Sequence, residues 1–257
     1  MAVQPMTIDE GRTPERRVVV EATELTKRFG RTTAVDRASF KIFAGEVVGL
    51  LGPNGAGKTT ILQMLLGTLL PTSGHISILG MDLSSHRDEI LHQVNFSSTY
   101  ISMPSSLTVW ENLMVFARLY GLPQPRARVE AVMTLFEIDQ LRSESGRGLS
   151  SGQLTRVCLA KAFLNEPKIL FLDEPTASLD PDIADKTRRL LRETQLRRGT
   201  AIFYTSHNMQ EMEALCDRII FLHKGRIIAM DTPRAVMAKY QQTSLEELFL
   251  MLAREPS

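Results

Sequence analysis

The chain has 257 residues, with Lys plus Arg at 30, Asp plus Glu at 29 and a formal net charge of +1. So even a balance gives no whole-surface attraction for RNA or DNA, and no nucleic-acid partner is expected. A hydrophobic share of 43% and a charged share of 23% exclude a disordered or fibrous chain, and the length allows one or two domains of roughly 150 residues each.

No apolar run approaches the roughly 20 residues that span a bilayer, and MAVQPMTIDEGRTPERR lacks the apolar core of a secretory signal. Residues 1–17, polar and carrying Pro5, Gly11 and Pro14, read as a flexible arm. From Val18 the pattern changes. VVVEATELTKRF starts β-branched, Ala38–Ile42 is a short apolar segment, and Glu46–Leu51 reads as a buried strand running into glycines. TTILQMLLGTLLPTSG reads as a helix closed by Pro71 and Gly74, followed by strands at HISILG and Gln93–Phe96. Thr108 and Glu111 have capping-box spacing, and Val109, Leu113, Phe116, Ala117 and Tyr120 recur at helical intervals. Gly121, Pro123 and Pro125 end that helix; Val129, Val132, Met133 and Phe136 mark another. Beyond it come a helix at Gln153–Asn165, an apolar strand at Lys168–Leu172 and a charged helix at Ala184–Arg198. A strand at Ala201–Thr205 leads into a helix through Leu215. Arg218–Leu222 and Arg226–Met230 form a hairpin, and Thr232-Pro233 caps a last helical region. This order fits a layered α/β domain with a helical insert over roughly 103–148. Cys158 and Cys216 belong to no C-x-x-C pair and read as buried free thiols of a reducing compartment.

Gly52-Pro53-Asn54-Gly55-Ala56-Gly57-Lys58-Thr59-Thr60 is the strongest signal, because it follows a strand and opens a helix. Glycines let the backbone curl around a phosphate chain with N–H groups inward, and the helix N-terminus adds a positive dipole end. Lys58 then reaches the β and γ phosphates, and the Thr59 hydroxyl is a ligand for Mg²⁺. Asp173, at the end of the apolar strand ILFL, suits a metal contact, and Glu174 suits the base that polarises an attacking water. The chemistry implied is in-line hydrolysis of a γ-phosphate. His75, His86, His92, His207 and His223 form no cluster with metal-ligand spacing, which leaves Mg²⁺ arriving with ATP as the one ion supported.

Between the loop and Asp173 stands Leu149-Ser150-Ser151-Gly152-Gln153. After Glu174 come Pro175, Thr176 and Ser178-Leu179-Asp180, and His207 closes AIFYTSH. This ordered set resembles the ATP-binding cassette (ABC) family, specifically the single-cassette nucleotide-binding subunits of ABC exporters, over roughly residues 18–252. The resemblance implies an α/β P-loop NTPase core with a parallel sheet, an antiparallel β subdomain and a helical subdomain over about 103–165. It implies that Phe29 stacks on adenine, although an isolated phenylalanine reads more readily as core. It further implies that Ser150, Ser151, Gly152 and Gln153 cap the γ-phosphate held by a second cassette, that Asp180 lies at the seam of that pair, and that His207 contacts the γ-phosphate. Each ATP is then clamped between two copies, and closure precedes hydrolysis.

Two departures stand out. The signature reads LSSGQ where the family has LSGGQ, and Ser151 leaves the helix-opening serine and Gly152 intact. The family's glutamine before the helical subdomain falls on Thr99, which, with Ser98, offers a hydroxyl on a shorter reach as a candidate Mg²⁺ ligand. One cassette without a membrane span implies separate integral membrane subunits, with this chain peripheral on the cytoplasmic side. The terminal Leu245–Leu252 segment resembles simple exporters; importers also use single cassettes, so direction stays open. A soluble cassette acting on translation or repair, and a regulatory cassette with reduced hydrolysis, are the other classes weighed. The apolar insert around Val109–Tyr120 is expected to face membrane subunits or to pack into its own core.

Overall fold

A computed structural model describes residues 16–98 and 103–254. Most of the N-terminal arm and Thr99 therefore lie outside the described residues. Two sheets form the frame. The first is antiparallel in the order β2-β1-β4-β5, built from β1 (Val18–Phe29), β2 (Thr32–Phe43), β4 (Ser73–Ile78) and β5 (Met81–Asp82). The second runs β10-β9-β3-β8-β7-β6. Its members are β3 (Val47–Leu51), β6 (Val94–Ser98), β7 (Ile169–Asp173), β8 (Ala201–Thr205), β9 (Arg218–His223) and β10 (Arg226–Asp231). All its pairings are parallel except the β9–β10 hairpin.

The parallel strands are apolar throughout because both faces are covered. In β7, Ile169 and Phe171 join the core shared with the antiparallel sheet, whereas Leu170 and Leu172 join the core on the opposite face. That split is the two-residue period of a strand at work. Helix α1 (Lys58–Leu65) packs Ile61, Leu62, Met64 and Leu65 into the first of these cores. It is shorter than its sequence suggests. Gly67, at φ +64°, turns the chain before Pro71 is reached. Gly74 lies inside β4, where a Cβ would stand 2.5 Å from the Glu24 carbonyl oxygen of β1. Its role is close strand approach, not helix termination.

After α2 (Arg87–Leu91), the helices α3 (Val109–Leu119), α4 (Pro125–Leu135) and α5 (Ser151–Ala162) lie against the other core. Thr108 caps α3 in a full capping box with Glu111, as the spacing predicts. Pro125 starts α4 instead of ending α3, because proline at the first helical position loses only an N–H that has no partner there. Val109, Leu113 and Ala117 of α3 are buried, so most of that stripe is core; Val115 and Leu119 are the exposed apolar residues of this helix. Helix α6 (Pro181–Arg198) begins three positions earlier than the periodicity indicated, because Asp180 caps it and Pro181 opens it. Its charges pair along the helix, as in Lys186–Asp182 at 3.3 Å and Arg189–Asp185 at 2.5 Å. Helices α7 (Met209–Leu215), α8 (Pro233–Lys239) and α9 (Leu245–Arg254) complete the chain. Leu245, Leu248 and Leu252 of α9 are buried, and Phe249 lies 6.0 Å from Phe221, centroid to centroid. Cys158 and Cys216 are buried free thiols. Among the described residues no helix is long and apolar enough to cross a membrane.

Candidate nucleotide site

Strand register assembles the site. Leu50 of β3 pairs with Thr205 of β8, Thr205 with Asp173 of β7, and Asp173 with Ser98 of β6. Four adjacent strands thus end on one row at their carboxyl ends. This is the edge of an open α/β sheet where ligands bind.

The loop Gly52–Gly57 leaves β3 at that edge. Gly52 has φ +151° and a Cβ there would meet the Leu222 carbonyl oxygen at 2.2 Å; Gly57 has φ +107° and would meet that of Ala34 at 2.4 Å. No side chain with a Cβ fits either position. Gly57 is also the N-cap of α1, and no side chain caps it. The first N–H groups of a helix have no partner within it, so this end presents a cluster of donors and a positive dipole end to an anion. The Lys58 Nζ donates to the Gly52 carbonyl at 2.6 Å and to the Pro53 carbonyl at 3.2 Å. Burial pushes its ammonium below the usual lysine range, while the Glu174 and Asp173 carboxylates act against that shift.

Opposite the loop, Asp173 is fixed by two hydroxyls. Thr205 Oγ1 donates to its Oδ1 at 2.7 Å and Ser98 Oγ to its Oδ2 at 3.3 Å. The Glu174 N–H donates to Thr205 Oγ1 at 3.1 Å and lies 3.2 Å from the Thr205 carbonyl oxygen. Glu174 itself has φ +52°, a strained backbone for a residue with a side chain. Its carboxylate lies 3.2 Å from His207 Nε2 and accepts the His207 N–H at 3.2 Å. Burial raises the Glu174 carboxyl above the ordinary glutamate range, against the lowering effect of His207. Glu174 and His207 line an open cleft of about 560 Å³ together with Thr176, Arg188, Ser206 and Glu211.

The oxygen set fits a hard divalent cation brought by a phosphate chain. The Asp173 carboxylate and the Thr59 hydroxyl are oxygen donors, and among the described residues no cluster of three His, Cys, Asp or Glu could hold a metal alone. Mg²⁺ commonly takes one or two protein oxygens and completes its shell with phosphate and water.

The remaining predicted residues stand apart. Phe29 is 52% exposed at the end of β1, with Lys27 Nζ 5.2 Å from its ring centre, which removes the core reading. Ser150 caps α5 in a capping box with Gln153. Ser151 is exposed, and a Cβ on Gly152 would come within 3.0 Å of the Ser178 carbonyl oxygen. The extra serine of LSSGQ is therefore accommodated at a position where glycine is not needed. Asp180 Oδ1 accepts the Ile183 N–H at 3.1 Å, a capping role the sequence reading did not assign. Among the described residues no hydrogen bond or ion pair joins Ser150–Gln153 to Gly52–Thr60. Thr205 is the functional neighbour that sequence reasoning missed; only the register distinguishes it from an ordinary strand threonine.

A phosphate loop after the central strand, a carboxylate pair at the end of the next strand but one and a serine-capped helix outside the loop define a nucleotide-binding cassette. Residues 35–177 match the family described as "ABC transporter". The "Probable multidrug ABC transporter ATP-binding protein YbhF" of Escherichia coli (strain K12) is 38% identical over 92% of this chain and 42% of its own length. The chain thus spans less than half of that relative. The "Nod factor export ATP-binding protein I" of Rhizobium sp. (strain N33) is 36% identical over 91% of this chain and 77% of its own. Among solved structures, an ATP-binding subunit of an ABC transporter superposes with a TM-score of 0.84 at 27% identity, over 92% of this chain and all of that one. CbiO1 from Clostridium perfringens, described as part of the ABC transporter complex cbiONQ, gives 0.76 at 30% identity, over 88% and 92% of the two chains. The chain belongs to the ABC transporter family as an ATP-binding cassette.

Proposed function

We propose that the chain is the ATP-hydrolysing motor of an exporter. It works as a pair of cassettes, on the cytoplasmic face of the membrane, against separate integral membrane subunits. The observation that carries hydrolysis is the Glu174 carboxylate, held against His207 beside Asp173. A carboxylate raised by burial is a better proton acceptor for water than an exposed one, and His207 and Lys58 act against that rise. His207 orients the γ-phosphate side of the site, and Lys58 exchanges its loop carbonyls for phosphate oxygens. Mg²⁺, held by Thr59 and Asp173, would supply charge neutralisation at the β and γ phosphates. Phe29, exposed and next to a cation, offers its face to the adenine ring.

Pairing is supported by the family resemblance of Ser150–Gln153 and by the lack, among the described residues, of any hydrogen bond or ion pair between that segment and the phosphate loop of the same chain. If both segments touch one nucleotide, they come from two copies. Export is supported by the relatives whose names state multidrug transport and Nod factor export. The test is hydrolysis of MgATP by the purified full chain and by Glu174→Gln. Wild type turns over; Glu174→Gln binds ATP with unchanged affinity and loses about 10²–10⁴-fold in kcat. A wild-type chain that binds ATP without turnover, alone and with its membrane subunits, overturns the proposal.

A further inference from the structure

Glu211 is a buried carboxylate, 6% exposed, in the first turn of α7. Its Oε2 accepts from Thr176 Oγ1 at 2.7 Å, from the Tyr204 hydroxyl at 2.9 Å and from Ser206 Oγ at 3.2 Å. Its Oε1 accepts from Arg188 Nη1 at 2.7 Å. The four donors come from four places in the fold. Thr176 follows Glu174-Pro175, Tyr204 is in β8, Ser206 immediately precedes His207, and Arg188 sits on α6, the helix that Asp180 caps. The main chain closes the same knot. Ser206 Oγ accepts the Asn208 N–H at 3.0 Å, and Asn208 Oδ1 accepts the N–H groups of Gln210 and Glu211 at 3.1 and 3.2 Å.

Each hydroxyl has one proton to give. Thr176 and Tyr204 stand 3.2 Å apart, yet both give theirs to Glu211 when the carboxylate is ionised, since it is then purely an acceptor. Burial and the neighbouring carboxylate both push the Tyr204 phenol up, which keeps it a donor. Charge-assisted bonds of this kind are short and strong, whereas a buried carboxylate without them is costly. Glu211 thus joins the segment leaving Glu174 to the turn carrying His207, at the cleft both groups line.

We propose that Glu211 is a positioning residue for ATP hydrolysis: by tying Thr176 to Ser206 it fixes the mutual geometry of Glu174 and His207. This rests on the reading of Glu174 and His207 as the groups that act on the γ-phosphate side. Glu211 makes no hydrogen bond to Gly52–Thr60, so nucleotide affinity should not depend on it.

The test uses the full chain at concentrations where specific activity has saturated, comparing wild type, Glu211→Ala, Arg188→Met, Thr176→Val with Ser206→Ala, and Glu174→Gln. The readouts are kcat, KM for ATP, affinity for a fluorescent ATP analogue, and Tm. Glu211→Ala should lower kcat by on the order of 100-fold, the effect of a misplacement near 1 Å, with KM and nucleotide affinity unchanged. The Thr176→Val/Ser206→Ala chain cuts the same ties without an unpartnered charge and should show the same split, which covers a Glu211→Ala chain that fails to fold. Arg188→Met loses the ion pair but keeps the hydroxyl ties, so its Tm should fall while its kcat falls less than that of the hydroxyl double variant. A wild-type kcat in the hydroxyl double variant, or kcat losses that simply follow Tm across the set, overturns the inference. Turnover retained in Glu174→Gln would instead sink the underlying reading, so the two failures are distinguishable.

Discussion

At the scale of single residues, the site depends on hydroxyls that hold carboxylates still. Thr205 is 1% exposed and serves both acids: its Oγ1 donates to Asp173 and accepts the Glu174 N–H. Thr205→Val keeps shape and β-preference but removes both bonds. A buried polar group left unpaired costs about 1–3 kcal/mol, and loss of an outer-shell partner to a metal ligand typically costs about 10–100-fold. Thr205→Val should therefore lower Tm and raise the Mg²⁺ concentration needed for half-maximal turnover, read from ATPase rates against Mg²⁺ concentration. Unchanged Mg²⁺ dependence would remove Thr205 from the site. Glu174 gives a prediction of opposite sign for stability. Its carboxyl is raised in the folded chain, so the folded state binds that proton more tightly than the unfolded state. The stabilisation this gives is present below the unfolded value and is lost as pH rises through the folded value. Glu174→Gln should therefore melt above wild type once pH exceeds the raised folded value, and the gap should close as pH falls from there to the ordinary glutamate range. A gap that widens on acidification would contradict the assigned direction. The acid limb of wild-type kcat should likewise lie above that range.

At the scale of elements, helix α5 does two jobs from one residue. Ser150 satisfies the Gln153 N–H at 3.3 Å and, on the proposed reading, faces a partner's nucleotide. Ser150→Asp separates these jobs, since aspartate caps as well as serine and favours a helix N-terminus. Urea denaturation should give stability within about 0.5 kcal/mol of wild type, while ATP-driven association in a Glu174→Gln background disappears. Retained association would detach Ser150 from the nucleotide. The legibility of the elements followed their local physics. Strands β3, β7 and β8 were readable because burial on two faces leaves an unbroken apolar run, and the cap at Thr108 because its partner Glu111 lies within one turn; the cap at Ser150 was not read from spacing, and its helix starts two residues before Gln153. The lengths of β1 and β2 were not, because bulges such as that between Ala22 and Leu25 break the alternation. The short α2 and β5 carry too few residues for a period. In the candidate site, Lys58, Asp173 and Glu174 were visible from order and spacing, and Ser98 from its place beside Thr99, whereas Thr205 and Glu211 acquire meaning only when register or tertiary packing sets them beside a carboxylate or a hydroxyl.

At the scale of the whole molecule, the two halves of the proposed site share no hydrogen bond or ion pair among the described residues. Lys58 follows the central strand β3, and Ser150 opens a helix among α3–α5 with no bond to the loop. In a two-fold pair each loop meets the other copy's Ser150, which makes two identical composite sites. Specific activity should then rise with chain concentration and reach a plateau, with a matching shift from monomer to dimer in sedimentation when ATP is present. A sharper test mixes two inactive chains. Lys58→Ala retains a competent Ser150 segment, and Ser150→Asp retains a competent loop. Their heterodimer contains one intact composite site and one doubly impaired site. One intact site in two means that activity should recover to no more than about half of wild type, the level reached when unlike chains pair exclusively. Recovery must also depend on total chain concentration, because it requires encounter of unlike copies. If each site were complete within one chain, no mixture of the two variants would recover activity at any concentration.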